Sequence, residues 1–343
     1  MKSITIKDIA KKCGVGVSTV SRAINNHPDI NEETKNMIMQ VIKENNFVPN
    51  SSARNLKLIQ TNNIAVLIKG IDNPFFQSMI KVFEKEIQNR KYTFMLHRVD
   101  SNQDEVEVAL QLIKEKKLKG IVFLGGCFSH DENKLKQINV PFVLSTISMG
   151  DDVNRSLYSS VSVDDINESK KAIDCLCDYG HKKIAVLAAQ PWDKSISGLR
   201  IEGYKKSLME RNIPINENLI RYTLKEDAFN MQNGYDLMKE LLESGEEFTA
   251  VFAISDSIAI GASKAILESG KRIPEDYSII GFDGLDITYY YNPSISTIRQ
   301  PVEEMAEETL NILFDLIENN EPNQHKLFQG ELIVRQSIAR LDK

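Results

Sequence analysis

Hydrophobic positions in the first fifty residues recur at helical spacing and are separated by short polar breaks. Three helices are predicted: the first is carried by Ile6, Ile9 and Ala10, the second by Val20, Ala23 and Ile24, and the third by Met37, Ile38, Val41 and Ile42. A glycine-containing break at residues 14–16 separates the first two. Asn31 is the predicted N-cap of the third, with acidic residues in the turn that follows it.

This order of elements predicts a helix-turn-helix, which places its second helix in the major groove of DNA. Val17, Ser18 and Arg22 project from the start and outer face of that helix. Arg22 can bind guanine through two hydrogen bonds, and Val17 can touch a thymine methyl group. Ser18, Thr19 and Ser21 carry short hydroxyls suited to phosphates or base edges. On periodicity alone, a small helical bundle without a DNA role is the alternative.

From about residue 63 the pattern changes to short apolar strands alternating with amphipathic helices. The predicted strands are 64–68, 92–96, 120–124, 142–144, 160–163, 184–187, 220–222, 250–254 and 277–282; the predicted helices are 75–90, 105–116, 169–179, 197–211, 232–242 and 257–268. Repeated βα units predict two doubly wound lobes with parallel sheets. Ligands of such lobes bind beyond the carboxyl ends of the strands, so two facing lobes predict a cleft.

Charge is unevenly distributed along the 343 residues. The whole chain carries −6, yet residues 1–60 hold nine basic and five acidic side chains, leaving −10 for the remainder. A basic head on an acidic body suits a module that meets phosphates joined to one that does not. No apolar run of bilayer length and no secretory leader is found, and the four cysteines are scattered. We therefore expect a cytoplasmic protein with no membrane role.

The head also contains a long sequence motif. It consists of Thr5-Ile6-Lys7-Asp8-Ile9-Ala10, Gly14-Val15, Ser18-Thr19-Val20-Ser21-Arg22 and Asn25. This motif resembles the head of the lactose-repressor/galactose-repressor (LacI/GalR) family of transcriptional regulators. The resemblance implies that Thr5 and Asn25 join the DNA contacts. Gly16 departs from it, because the family places a serine N-cap there; glycine is an acceptable cap at a cost of a few tenths of a kcal/mol.

A second segment resembles the hinge of the same family. It comprises Phe47-Val48-Pro49-Asn50, Ala53-Arg54 and Leu56. The resemblance implies a helix that folds on DNA beside its copy from a second subunit, with Leu56 wedged between base steps of the minor groove. Asn50 would contact the DNA, Ala53 would lie near the groove floor, and Arg54 and Lys57 would reach phosphate. Without the motif, Leu56 reads as an ordinary packing residue.

Polar and aromatic side chains at the predicted strand ends are candidates for binding an effector. They are Asp72, Phe75, Trp192, Arg200, Ser255, Asp256 and Asp283. Arg200 with Gly203-Tyr204, and Asp283 within Gly281-Phe282-Asp283-Gly284, resemble family motifs. Asp72 and Ser255 depart from the family, which has a serine-like residue and an asparagine there.

The chemistry of these candidates suits a sugar. Asp256 and Asp283 can accept hydrogen bonds from paired hydroxyls, Arg200 can donate in a fork, and Trp192 or Phe75 can stack on an apolar sugar face. Three alternatives stay open. Asp256 can simply cap its helix, Trp192 can cover the lobe surface, and Phe76 favours a core position over a pocket one.

The resemblance implies a helix-turn-helix head and an α/β periplasmic-binding-protein-like core. The expected domains are 1–48 for the head, 49–60 for the hinge and 61–343 for the core. The first lobe is expected at about 61–163 and 293–322, and the second at about 164–292 and 323–343, with the chain recrossing near Asp164, Asn292 and Asn320.

We therefore expect a transcriptional regulator controlled by a small molecule. The resemblance implies a repressor, because repression is the commoner mode of control in the family. It would bind a pseudo-palindromic operator in double-stranded DNA as a homodimer. No P-loop, HExxH or GxSxG motif and no metal-ligand spacing occurs, so no catalytic residue, cofactor or metal is expected. A cytoplasmic solute-binding protein without a DNA role is the alternative function.

Overall fold

The structure is a computed structural model that describes residues 4–24, 27, 29–45, 47, 62–147, 153–225 and 227–341. The chain divides at residue 61 into two compact units, a head and a core.

The head is built from three helices, α1 (Ile6–Cys13), α2 (Val17–Ile24) and α3 (Glu32–Glu44). Their inner faces meet in a small core of buried side chains: Ile9, Ala10, Val20, Ala23 and Ile38. The prediction that Met37 points inward is wrong, because Met37 is 41% exposed whereas the neighbouring Ile38 is buried in the core. One apolar residue of the predicted stripe on α3 therefore points to solvent, which narrows the face that the helix buries.

Local capping explains where the head helices begin and end. The Asp8 amide donates to the Thr5 hydroxyl at 3.3 Å, and the Asp8 carboxylate accepts from the Thr5 amide at 2.9 Å, which forms a capping box. Gly14 ends α1 in a left-handed conformation that glycine adopts without strain. The side chain of Asn31 accepts from the first-turn amides of α3, as predicted. Such caps are worth about 1 kcal/mol each.

The first lobe of the core contains a six-stranded parallel sheet. Its strands are β1 (Asn63–Ile68), β2 (Thr93–Arg98), β3 (Leu118–Leu124), β4 (Phe142–Ser145), β5 (Ser159–Val163) and β11 (His325–Phe328), in the order β11-β5-β4-β3-β1-β2. Its helices are α4 (Phe75–Asn89), α5 (Glu105–Lys116), the short α6 (Glu132–Leu135), a 3-10 turn (Arg155–Leu157) and α12 (Val302–Phe314), which continues as a π turn (Asp315–Asn319). Residues 64–68 of β1 are all buried, as a strand covered on both faces requires.

The second lobe repeats the arrangement with one difference. Its strands are β6 (Ile184–Leu187), β7 (Ile220–Arg221), β8 (Ala250–Ala253), β9 (Ser278–Asp283), β10 (Ser296–Arg299) and β12 (Glu331–Ile333), in the order β12-β10-β9-β8-β6-β7, and β12 is antiparallel to β10. Its helices are α7 (Asp165–Asp178), α8 (Ile196–Glu210), α9 (Met231–Glu243), α10 (Asp256–Glu268) and α11 (Ile287–Tyr290), with a 3-10 turn (Glu217–Leu219). The predicted fold class, an all-α head followed in the chain by two doubly wound lobes, is confirmed.

Two of the three predicted crossings between lobes are displaced. The first lies at Asp164, as expected. The second lies at residues 300–301 rather than near Asn292, because β10 pairs with β9 of the second sheet. The third lies at 329–330 rather than near Asn320, because β11 pairs with β5 of the first sheet. A polar break marks where a strand can end, but it does not show which sheet the next strand joins.

Glycine at position 203 allows two helices of the second lobe to pack closely. A Cβ atom there would lie 2.2 Å from the carbonyl oxygen of Ile166 on α7. The adjacent Tyr204 is buried and its hydroxyl donates to the Ile184 carbonyl of β6 at 3.0 Å. This packing fixes α8 against α7, and α8 carries Arg200. Within the described ranges, no helix is both long and apolar enough to cross a bilayer.

Candidate functional site

The outer face of α2 gathers the predicted DNA-reading side chains. Val17, Ser18 and Arg22 are exposed, and the residue of Val17 is 41% exposed although it is apolar. Thr19 and Ser21 are half-buried at its sides. Because Val20 and Ala23 fill the head core on the opposite face, α2 presents one polar surface with Arg22 on it. Thr5 lies at the exposed start of α1, where its hydroxyl donates a hydrogen bond to Asp8 Oδ2 at 2.6 Å.

The turn before α2 accommodates the departure at Gly16. Its carbonyl accepts from the amides of Thr19 and Val20 at 3.0 and 3.2 Å, so the helix begins here without a side-chain cap. A Cβ atom at Gly16 would meet Ser18 Oγ at 3.5 Å, an ordinary contact. The glycine therefore costs the helix a capping hydroxyl. It is not required for space, because a side chain would fit at this position.

Six of the predicted DNA-contacting residues fall outside the described residues. They are Asn25, Asn50, Ala53, Arg54, Leu56 and Lys57.

The core encloses a cavity of about 300 Å³ between its two lobes, at the carboxyl ends of the strands. Its apolar wall consists of Phe75, Phe76, Ile196, Leu224, Ala228, Phe229 and Trp192. Its polar wall includes Lys69, Asn73, Thr146, Asp165, Asp193, Arg200, Asp227, Asp283 and Gln300. The location matches the general rule for doubly wound sheets, and the volume is at the small end of ligand sites.

Arg200 organises the floor of this cavity. Its Nε atom donates to Asp165 Oδ1 at 2.8 Å, and its Nη1 atom lies 3.6 Å from Asp283 Oδ1 and donates to the Ile254 carbonyl. The guanidinium carbon lies 3.5 Å from the centre of the Phe282 ring, a cation–π contact. Gln300 Nε2 donates to Asp283 Oδ1 at 2.9 Å. All these polar groups are buried, and they present donors and acceptors side by side.

Two buried carboxylates share one guanidinium at this floor. Burial raises the pKa of Asp283 to about 7, although the nearby Arg200 charge and the bond from Gln300 act in the opposite direction. Burial likewise raises the pKa of Asp165, again opposed by Arg200. Near neutral pH the floor is therefore able to take up or release a proton when a ligand changes its surroundings.

Aromatic side chains line the cavity from both lobes. Phe75 and Phe76 are buried at the start of α4, with ring centres 5.4 Å apart in an edge-to-face arrangement. Phe76, expected in the core, both packs in the core and lines the cavity. Trp192, the only tryptophan of the chain, is 64% exposed on the opposite side. Flat rings of this kind suit the apolar faces of a sugar.

Three predicted candidates lie away from the cavity wall. Ser255 is the buried N-cap of α10, and its hydroxyl accepts from the Ile258 amide at 3.3 Å. Asp72 is exposed in the turn after β1, and its neighbour Asn73 takes the place on the wall.

Asp256 is the third of these candidates, and its carboxylate points into the protein. It accepts from the amides of Gly284 and Leu285 at 2.8 and 2.7 Å and from the Thr297 hydroxyl at 2.7 Å. The sequence alternative of helix capping is also not what is found, because Ser255 caps the helix. Asp256 ties the end of β9 to β10, and Gly281 leaves room for it: a Cβ there would lie 2.2 Å from Asp256 Oδ1.

Several wall residues were not predicted from the sequence. Asp165 and Gln300 lie where the chain crosses between lobes, so only the correct crossings could have identified them. Thr146 follows β4 with a φ of 66°, rare for a β-branched residue, and its hydroxyl is buried without a hydrogen-bond partner among the described atoms. Because Thr146 lines the cavity, its unpaired hydroxyl is a candidate contact for a bound ligand. Asp227 lies in a loop where no periodicity marks it.

Two family models match the chain. Residues 5–50 match the bacterial regulatory proteins of the lacI family, and residues 173–338 match a periplasmic binding protein-like domain. The first match contains all of α1 to α3. The second contains the cavity residues from Trp192 to Gln300.

Similar proteins extend the match to the whole length. The HTH-type transcriptional regulator MalR of Clostridium butyricum is 41% identical over 98% of this chain and 100% of its own. A solved complex of the transcriptional regulator CelR with cellobiose is 26% identical, with a TM-score of 0.71, and covers 97% of this chain and 99% of its own. A lac repressor dimer bound to operator and the anti-inducer ONPF has a TM-score of 0.76 at 22% identity, over 98% and 100% of the two chains.

The head, the two-lobed core and the cavity between the lobes define a regulator that joins a DNA-reading module to a small-molecule module. The chain belongs to the LacI family of transcriptional regulators. It is accordingly a sequence-specific DNA-binding protein, and the alternative of a solute-binding protein without a DNA role is set aside.

Proposed function

We propose that this regulator is a repressor whose hold on operator DNA is controlled by a sugar bound in the core cavity. The observation that carries the proposal is the buried floor, where Arg200, Asp165 and Asp283 hold charged donors and acceptors beneath aromatic walls. Adjacent hydroxyls of a sugar ring need such alternating partners, and the ring faces need flat apolar surfaces. The CelR complex with cellobiose supports a saccharide as the class of effector.

The proposed control acts through the two lobes. A ligand that contacts both lobes favours the arrangement in which they lie closer together, and it changes how two subunits present their hinges to DNA. The ligand must bind the two states with different affinity, and a coupling of about 1–3 kcal/mol is typical.

DNA contacts are assigned to Thr5, Val17, Ser18, Thr19, Ser21 and Arg22 of the head, with Asn25 and the hinge residues Asn50, Ala53, Arg54, Leu56 and Lys57. A chromosomal operator implies a cytoplasmic location.

We further propose that the protein acts as a homodimer, since a two-fold dimer reads the two halves of a pseudo-palindrome. The second lobe exposes a short apolar face on α11, where Ile287, Tyr289 and Tyr290 are exposed and Tyr290 is 80% exposed. The lac repressor was solved as a dimer. Light scattering on the wild type and on Tyr290→Asp should show a loss of half the mass in the variant. A monomeric wild type at micromolar concentration would contradict the dimer.

One experiment tests both halves of the function. Binding to DNA from upstream of the gene is measured by fluorescence anisotropy, and binding of sugars by the emission of Trp192. We expect Arg22→Ala to weaken specific binding by at least about tenfold, the value of one good base contact. Lys43→Ala is the matched control, because Lys43 is an exposed basic residue in the last turn of α3 and not on α2.

The sugar arm uses Asp283→Asn, which keeps the size of the side chain but changes its charge and its donors. We expect a sugar that alters Trp192 emission to weaken DNA binding by the wild type. Asp283→Asn should lose both responses while keeping its DNA affinity. A variant that responds like the wild type would show that the effector binds elsewhere. A wild type that never binds its upstream DNA selectively would contradict the proposal that it represses from an operator there.

A further inference from the structure

The wall of the cavity carries more carboxylates than cations. Four carboxylates line it, Asp165 and Asp283 at the floor and Asp193 and Asp227 at the mouth. In the part of the wall that the structure describes, the cations are Lys69 and Arg200. A ligand that enters therefore meets more carboxylates than cationic side chains, and this imbalance disfavours a negatively charged ligand.

Both cations are already paired with carboxylates. Lys69 Nζ lies 2.5 Å from Glu105 Oε2, a buried carboxylate that His130 also contacts at 3.1 Å. Arg200 lies between Asp165 and Asp283 at the floor. A phosphate group would have to compete with these internal partners, because neither cation is left unmatched.

One of the helix N-termini that border the cavity, that of α8, is occupied by the protein's own carboxylate. Asp193 Oδ1 accepts from the Ser195 amide at 2.8 Å and from the Ser195 hydroxyl at 2.5 Å, and its Oδ2 lies 3.4 Å from the Ser197 amide. A helix N-terminus is a common binding site for phosphate because its amides are free and its dipole is positive. At α8, Asp193 takes that position, so this helix N-terminus is not free to bind an anionic ligand.

The mouth adds repulsion rather than attraction. The pKa of Asp227 is raised, mainly by burial and further by the charge of Asp72 in the other lobe. Arg98 acts in the opposite direction, but its Nε atom lies 3.2 Å from Asp100. A second carboxylate from the facing lobe thus adds to the negative field that an entering anion meets.

From these contacts we infer that the cavity selects uncharged saccharides and excludes their phosphorylated forms, with Asp227 and Asp193 as the excluding carboxylates. The inference rests on the proposed function, because it takes the effector to be a sugar. Sugar hydroxyls can donate to the carboxylates of the wall and can also accept from a protonated Asp283, whereas a phosphate dianion can only accept. Like charges confined in a cleft repel more strongly than in open water.

The test titrates the full-length protein with glucose, ribose, cellobiose and trehalose, each paired with its phosphomonoester, and follows Trp192 emission. For every parent sugar that binds, we expect its ester to bind at least about tenfold more weakly at low salt. The difference in affinity between parent sugar and ester should decrease as the salt concentration is raised, because screening weakens the repulsion between like charges.

Two variants and a control assign the effect. Asp227→Asn should reduce the difference in affinity between a parent sugar and its ester, and Asp227→Lys should reduce that difference further. Glu240→Gln, an equal change of charge at an exposed position of α9, should leave it unchanged. An ester that binds as well as its parent would overturn the inference while keeping a sugar-controlled regulator. A difference unaffected by either Asp227 variant would overturn the assignment. If no member of any pair alters emission, the sugar effector and this inference fail together.

Discussion

The cavity floor buries one guanidinium group between two carboxyl groups. Arg200 is buried, so it requires negative partners, and the protein supplies Asp165 and Asp283. Two carboxylates exceed the charge of one guanidinium, and burial then favours holding a proton. The same excess provides acceptors for a ligand. The floor is therefore a place where binding, protonation and stability are linked.

This linkage predicts how stability depends on pH. The pKa of Asp283 is about 7 in the folded protein, above the ordinary value of 3.8, so the folded state holds the proton more firmly. The stability that it contributes is fully present below about pH 4 and is lost as the pH rises through 7. Asp283→Asn should remove this loss, so its free energy of unfolding relative to the wild type should increase between pH 5 and 8. Urea denaturation across that range measures it.

Glu240→Gln serves as the control for this prediction, because it makes the same change of net charge away from the floor. Curves of stability against pH that run parallel for Asp283→Asn and the wild type would contradict the shifted pKa.

The residue scale also shows what a sequence can say about a site. Arg200, Asp283, Phe75 and Trp192 were expected at strand ends, and the structure places all four on the cavity wall. The sequence could not show that Asp256 turns inward. Its position at the start of α10 is compatible with either direction, and the deciding partners, the Gly284 and Leu285 amides, are distant in sequence.

At the scale of elements, the periodicity located most helices and strands to within two residues. The helix α5 occupies the predicted residues 105–116, and β6 the predicted 184–187. The largest displacement is at α7, which begins at Asp165 instead of residue 169. Its first turn contains polar residues that read as a loop, but Asp164 caps it by accepting from the Asn167 amide at 3.1 Å. Capping, not hydrophobic periodicity, sets this boundary.

The close approach of α8 to α7 gives a prediction of unusual sign. In a helix interior, Gly→Ala usually stabilises by about 1 kcal/mol. At Gly203 the added methyl group would lie 2.2 Å from a backbone carbonyl oxygen, so the two helices must separate. We expect Gly203→Ala to destabilise the core by about 1–3 kcal/mol, in the range for overpacked interiors. Thermal unfolding monitored by circular dichroism measures the change.

Glu202→Ala is a suitable comparison for Gly203→Ala, since Glu202 is exposed on the same helix. It should leave the unfolding temperature nearly unchanged. If Gly203→Ala were stabilising, the packing of α7 against α8 would have to be looser than described.

On the scale of the whole molecule, each lobe of the core is assembled from separate stretches of chain. The first lobe takes β1 to β5, then α12 and β11; the second takes β6 to β10, then β12. This sharing could not be read from the sequence, because hydrophobic runs give the strands but not their partners. The resemblance implied three crossings, and the pairing of β10 and β11 decided where two of them fall.

A truncation tests whether the two lobes depend on one another. Ending the chain after Gln300 removes α12 and β11 from the first lobe and β12 from the second. We expect the remaining core to lose cooperative unfolding in calorimetry, because both sheets lose an edge strand and the first loses the helix that covers β3 to β5. Removing only residues 342–343 should preserve the transition. A truncated core that still melts in one sharp transition would show that either lobe folds without its returning strands.

The return of the chain to the first lobe has a consequence for synthesis on the ribosome. About 160 residues separate the end of β5 from β11, the strand that completes its sheet. At roughly 5–20 residues per second, this delay lasts about 10–30 seconds. Throughout that interval the nascent first sheet has an open edge at β5, able to pair with another unfinished chain. This exposure precedes the release of the chain, and slower translation would prolong it.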